Sequence, residues 1–123
     1  MSRRVLAVDD SATVRSSLKL VLQKAGYEPV LAADGEEALF RVQESREKFH
    51  LIITDLNMPK MNGIELIKTV RLLPGYRFTP ILMLTTESQA EKKMEGKKAG
   101  ATGWIVKPFT PGQLISVIQK ILR

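Results

Sequence analysis

Leu51-Ile52-Ile53-Thr54-Asp55-Leu56-Asn57-Met58-Pro59 is the stretch on which the fold turns. Three apolar residues run into a threonine and a single carboxylate, and a turn follows at once. A short unbroken apolar run reads as a strand buried on both faces, the pattern of a parallel sheet. Asp55 then stands at the carboxyl end of that strand. Pro59 biases Met58 towards extended backbone, and Asn62-Gly63 adds a turn signal before the next helical pattern. The carboxylate is therefore expected at a strand tip, where open α/β sheets bind their ligands.

The same pattern repeats on either side. Upstream, Val5–Val8 is an apolar run that ends in Asp9-Asp10. A helical stripe of Val14, Leu18, Val21, Leu22 and Ala25 follows, with Ser11 placed to cap it and Gly26 to end it. Pro29–Ala32 reads as a strand whose proline confines it to a sheet edge. Asp34-Gly35 turns the chain into a second helix, with Ala38, Leu39 and Val42 inward and a polar tail through Lys48. Downstream, Ile64, Ile67 and Val70 stripe a third helix that Leu73-Pro74-Gly75 stops. Tyr76 and Phe78 in the next loop read as packing residues. Ile81–Leu84 is a fourth strand, running into Thr85-Thr86. A fourth helix, about Ser88 to Lys98, has only Ala90 and Met94 as an inner face and carries Gly96 inside, so it is expected to be the least firmly held. Thr102–Val106 is a fifth strand, then Lys107-Pro108. Pro111 opens a last helix striped by Leu114, Val117, Ile118 and Ile121.

Strand and helix thus alternate five times with no linker and no composition break, which argues a five-stranded parallel sheet with helices on both faces. The 123 residues are expected to form one domain, 1–123, with no output domain attached. A hydrophobic fraction of 44% supports a real core. Absence of cysteine excludes a disulfide framework and thiolate metal sites. No run is long enough for a signal core or a membrane span, so a cytoplasmic protein is expected. The net charge of +6 raises the question of nucleic acid. The densest basic patch, Lys92, Lys93, Lys97 and Lys98, has no interleaved aromatics, and reads as a solvated surface.

Comparing strand ends exposes the chemistry. In a parallel sheet the tips of strands one, three, four and five lie on one edge, bringing Asp9, Asp10, Asp55, Thr85 and Lys107 together. Crowded carboxylates raise one another's pKa unless a cation offsets them. Oxygen-only ligands suit magnesium. A nucleophilic carboxylate, a metal, and a hydroxyl and ammonium for the remaining oxygens are what phosphoryl transfer to a carboxylate needs.

Asp9-Asp10-Ser11, Asp55 with Met58-Pro59 and Gly63, Leu84-Thr85, and Lys107-Pro108-Phe109-Thr110 together resemble the receiver domain of bacterial two-component response regulators. The resemblance covers essentially the whole chain and implies a flavodoxin-like sheet order 2-1-3-4-5. It implies that Asp55 is the phosphoacceptor, taking phosphate from a histidine kinase. Asp10 and Asp55 would bind Mg2+ directly, Asp9 through water, and Asn57 through its backbone carbonyl. Thr85 and Lys107 would hold phosphoryl oxygens. The Lys107-Pro108 peptide would be cis. Trp104 stands at the family's mobile aromatic, and would swing inward as Thr85 moves towards the phosphate.

Asn57 and Glu87 fall at positions that influence phosphate lifetime in the family, and they match the CheY-type, single-domain chemotaxis regulators. Output would then pass through the face carrying Trp104, Val106, Phe109 and Thr110, with the flagellar motor switch as partner and the protein a monomer. Trp104 replaces the usual tyrosine and the fourth helix is richer in lysine, so a single-domain regulator or phosphate sink of another pathway stays open. A Mg2+-dependent phosphatase working through an aspartyl-phosphate is the rival from another class; the acid usual two residues after its nucleophile is here Asn57. A flavin carrier would need a phosphate loop that Asp9 and Asp10 would repel. His50, the only histidine, reads as a loop residue without a role.

Overall fold

The computed structural model describes residues 3–86 and 90–122. Five strands, β1 (Arg4–Val8), β2 (Glu28–Ala32), β3 (Leu51–Asp55), β4 (Ile81–Thr85) and β5 (Gly103–Val106), alternate with five helices, α1 (Ala12–Lys24), α2 (Gly35–Glu44), α3 (Gly63–Arg71), α4 (Ala90–Ala99) and α5 (Pro111–Ile121). All pairings are parallel and the order is β2-β1-β3-β4-β5. The residues foretold a five-stranded parallel sheet, and the order is the flavodoxin-like one that the family resemblance implied. β2 lies at an edge, as Pro29 requires.

The unbroken apolar runs are explained by two cores. Leu6, Val8, Ile52, Ile81 and Met83 point to one face, against Ala38 and Val42 of α2 and Ile64, Ile67 and Val70 of α3. Val5, Ala7, Leu51, Ile53, Leu82 and Leu84 point to the other, against Leu18 and Leu22 of α1 and Leu114 and Ile118 of α5. A strand sandwiched in this way has no polar face to alternate with. Each such side chain contributes about 1.5–3 kcal/mol on burial, so the central strands are the most firmly held part of the molecule.

The helices begin on local signals. Ser11, Asp34, Asn62 and Thr110 each accept a backbone N–H of their own first turn. Asn62 with Glu65 and Thr110 with Gln113 form reciprocal capping boxes. These set where α3 and α5 leave the sheet edge, and with it the loops around the site.

Four details depart from the sequence reading. First, α2 ends at Glu44 rather than running to Lys48. The segment beyond it is fastened to β1 instead, because the Arg4 guanidinium donates to Ser45 Oγ and to the Glu47 carbonyl. Second, α4 does not bury Ala90 or Met94, which are exposed. Its buried residue is Gly96, whose missing Cβ leaves the space that Met83 Sδ fills. The proposed start at Ser88 lies outside the described residues. Third, Tyr76 is buried, its hydroxyl accepting the Phe49 N–H at 3.1 Å, but Phe78 is 86% exposed and packs on no core. Fourth, His50 has a structural role, accepting the Arg4 N–H through Nδ1 at 2.9 Å where β1 begins. A half-buried clamp was also not foreseen. Arg71 donates to the carbonyls of Tyr76, Thr79 and Gly100, tying the end of α3 to the loops before β4 and β5.

Candidate functional site

Register brings the strand tips level. Val8 pairs with Thr54, Asp55 with Leu84, and Thr85 with Val106. Residues one step beyond β1 and β5 therefore meet Asp55 at the carboxyl edge of the sheet.

Asp9 is fully buried. Its Oδ1 accepts the Ser11 N–H at 2.9 Å, and its Oδ2 accepts Lys107 Nζ at 2.6 Å. Its carbonyl accepts from Arg15 on α1 at 2.8 Å, so the residue is fixed from both ends. Asp10, next in the chain, is exposed. Asp55 is nearly buried; Oδ1 accepts the Leu56 N–H at 2.8 Å, and Oδ2 lies 3.4 Å from Lys107 Nζ. Each of the three aspartates presents a carboxylate oxygen within 4.8 Å of those of the other two. Thr85 Oγ1 is buried with no hydrogen-bond partner among the described residues. Lys107 is steered by its own backbone, since its N–H donates to the Thr85 carbonyl at 2.6 Å. The Lys107-Pro108 peptide is cis, as expected.

Gly63 completes the arrangement. It donates to the Leu56 carbonyl at 3.0 Å, and a Cβ there would collide with the Asp55 carbonyl. Only a glycine lets α3 start directly beneath the loop that presents Asp55.

Among the described residues, three carboxylates thus face one ammonium. Burial raises the Asp55 pKa above its ordinary value, and the charge of Asp9 adds to the rise. Lys107 and the Leu56 N–H pull it back only in part. For Lys107, burial favours loss of the proton. The hydrogen bond to Asp9 and the fields of both aspartates outweigh it, leaving its pKa raised. The cluster is short of positive charge, and its donors are all oxygen. Asp9, Asp10 and Asp55 therefore fit a hard divalent cation such as Mg2+. A buried hydroxyl with no partner at the same edge fits a further oxygen-bearing group.

The remaining expected residues lie around this centre. Asn57 is exposed in the loop after Asp55, and Glu87 lies outside the described residues. Trp104 is 42% exposed on β5, with Lys93 Nζ of α4 5.8 Å from its ring centre. Val106 and Phe109 are half-buried, and Phe109 packs towards the α1/α5 core. Thr110 is exposed but spends its hydroxyl capping α5. The sequence reading missed Arg15, for which no local signal exists. It placed Thr110 on the partner face without its cap, although Thr110-x-x-Gln113 is a legible capping signal.

Comparison with known proteins agrees with this geometry. The model of the response regulator receiver domain matches residues 5–119. The chemotaxis protein CheY homolog of Campylobacter jejuni is 40% identical over 119 residues, covering 97% of this chain and 92% of that protein. Chemotaxis protein CheY1 of Helicobacter pylori is 39% identical over 119 residues, covering 97% and 96%. The structure of chemotaxis response regulator CheY4 of Vibrio cholerae superposes with a TM-score of 0.93 at 54% identity, covering 99% of this chain and 100% of that one.

Proposed function

We propose, from the premise that this chain belongs to the response regulator receiver domain family, that it is a phosphorylation-dependent switch with Asp55 as its phosphoacceptor. The family is not one of conventional enzymes. Here the chain's own residues would promote gain and loss of the phosphoryl group. An Asp55 carboxylate oxygen attacks the phosphorus of a histidine kinase's phosphohistidine. The P–N bond breaks, and its electron pair returns to the imidazole. Lys107 and Thr85 hold equatorial oxygens of the transferred group. Asp10, Asp55 and the Asn57 carbonyl would hold Mg2+ directly and Asp9 through water; when bound, the ion would neutralise charge on the phosphoryl oxygens.

The observation that carries this reading is the convergence itself. Asp9, Asp10 and Asp55 share one 4.8 Å cluster, with Lys107 at 3.4 Å from Asp55 and the Thr85 hydroxyl without a partner among the described residues. Intact mass after incubation with acetyl phosphate and Mg2+ tests it. One phosphoryl group is expected on the wild type and none on Asp55→Asn or without Mg2+. No gain under any condition overturns it.

Output is proposed to pass by protein contact through the surface of α4, β5 and α5. Chemotaxis, with the flagellar motor switch as target, is the pathway supported by the names of the relatives. Trp104 is the only tryptophan, so its emission reports the switch directly. A change on adding acetyl phosphate and Mg2+, absent in Asp55→Asn, is expected. An unchanged spectrum on a protein shown by mass to be phosphorylated removes Trp104 from the mechanism.

A further inference from the structure

The amino ends of β3 and β4 form a second concavity, at the pole of the sheet away from Asp55. It is a depression of about 700 Å³, with Phe49, His50 and Pro80 in its wall and Lys48, Arg77 and Phe78 at its exposed rim. His50 and Pro80 immediately precede β3 and β4. The floor is apolar because Phe49 is buried there, and Phe78 is displayed at 86% exposure.

Its charge has one sign. Among the described residues, no carboxylate lines the depression. Neither Lys48 nor Arg77 pairs with a carboxylate among the described residues. Both cations are held over rings instead. Lys48 Nζ lies 5.7 Å from the centre of Tyr76, and the Arg77 guanidinium lies 5.4 Å from that of Phe78. Gly75 makes room for the first, since a Cβ there would come within 3.0 Å of Lys48 Nζ. A cation placed in advance loses less freedom on meeting its partner. An exposed aromatic beside an arginine is also the composition of an interface anchor.

We propose that this pole is a docking surface for an acidic peptide segment of a partner protein, one bearing an aromatic or large apolar side chain between its carboxylates. The apolar side chain lies on Pro80 and Phe78, and the carboxylates meet Lys48 and Arg77. Charge complementarity selects the occupant, and the apolar floor favours a side chain over a sugar–phosphate backbone. Because β3 (Leu51–Asp55) separates His50 from the tip at Asp55, the two poles sit at opposite ends of one strand, about 16 Å apart by strand geometry. A partner held here leaves the carboxyl edge open.

Amide chemical shifts of the full chain, titrated with a synthetic Glu-Asp-Trp-Leu-Asp-Glu peptide, test the proposal. A Gln-Asn-Trp-Leu-Asn-Gln peptide and a twelve-residue oligothymidylate are titrated in parallel. Saturating shifts confined to residues 48–50 and 75–80 are expected with the acidic peptide alone. Affinity should fall at least about ten-fold in Lys48→Glu/Arg77→Glu, since rim charges contribute modestly each. It should also fall in Phe78→Ser. Both variants change exposed residues and should keep the wild-type melting temperature. Absent shifts, shifts centred on α4, equal binding of the uncharged peptide, or binding of the oligonucleotide in place of the acidic peptide each overturn it.

Discussion

Asp55 and Lys107 carry opposite consequences for stability. The Asp55 carboxyl is pushed up from its ordinary value by burial first and by Asp9 second. A carboxyl whose folded pKa lies above its unfolded one contributes stability below the unfolded value and loses it as pH rises through the folded one. Ionised Asp55 therefore costs the fold at neutral pH. In metal-free buffer, Asp55→Asn should melt above the wild type at pH 7, and the gap should close as pH falls towards about 4. Thermal melts across that range check it, and an equal or lower melting temperature at pH 7 rules it out. Lys107→Met should do the reverse. It strands Asp9, fully buried, beside Asp55 with no ammonium, and should cost about 2–3 kcal/mol in urea denaturation, short of the largest buried-pair losses because Lys107 keeps some solvent. Adding Asp55→Asn to it should recover part of the loss, since the like-charge repulsion between Asp9 and Asp55 is then removed. At this scale the sequence revealed which residues converge but not how differently they sit. Asp9 and Asp10 are the same residue type, one step apart, yet one is sealed and the other exposed. Strand alternation at a tip, together with Arg15 arriving from α1, makes that difference.

Among the elements, α4 stands apart. The sequence reading expected it to be the least firmly held and assigned the wrong inner face, because a helix of this composition has no apolar stripe to read. What seats it is the absence of a side chain at Gly96 over Met83. Gly96→Ala sets about 1 kcal/mol of helix propensity against a clash of about 1–3 kcal/mol. A net loss is expected, concentrated as faster hydrogen exchange in α4, and Met83→Val should relieve it by making room. Unchanged exchange in Gly96→Ala would mean that α4 is seated by something else. Gly63→Ala meets backbone rather than a movable thioether, since its Cβ strikes the Asp55 carbonyl. It should destabilise more, by about 2 kcal/mol or above, and no single side-chain substitution should rescue it. Both glycines look alike in the sequence. Only the neighbour across space, a thioether in one case and backbone in the other, tells them apart.

For the molecule as a whole, the sheet was legible because its three central strands are buried on both faces, which turns β1, β3 and β4 into unbroken apolar runs. The poles were less so. Chain order gathers the carboxyl tips by topology alone, whereas the amino-end depression depends on how the loops before β3 and β4 lie. A cation binding only the folded chain stabilises it by mass action. At ten times its dissociation constant Mg2+ should add about 1.4 kcal/mol, or about 5 °C for a domain of this size. Calorimetry with Mg2+ and then with chelator checks this. An unmoved melting temperature would remove the aspartate cluster as a metal centre.

The Lys107–Asp9 contact joins the end of β5 to the end of β1, and β3 and β4 lie between them. One side chain thus works as a clasp across three strand spacings, about 14 Å, drawn closed by the two acids it reaches. Any positive charge that takes over those acids slackens the clasp. The slack falls on the outermost strand, where Trp104 rides, and not on the core strands beneath.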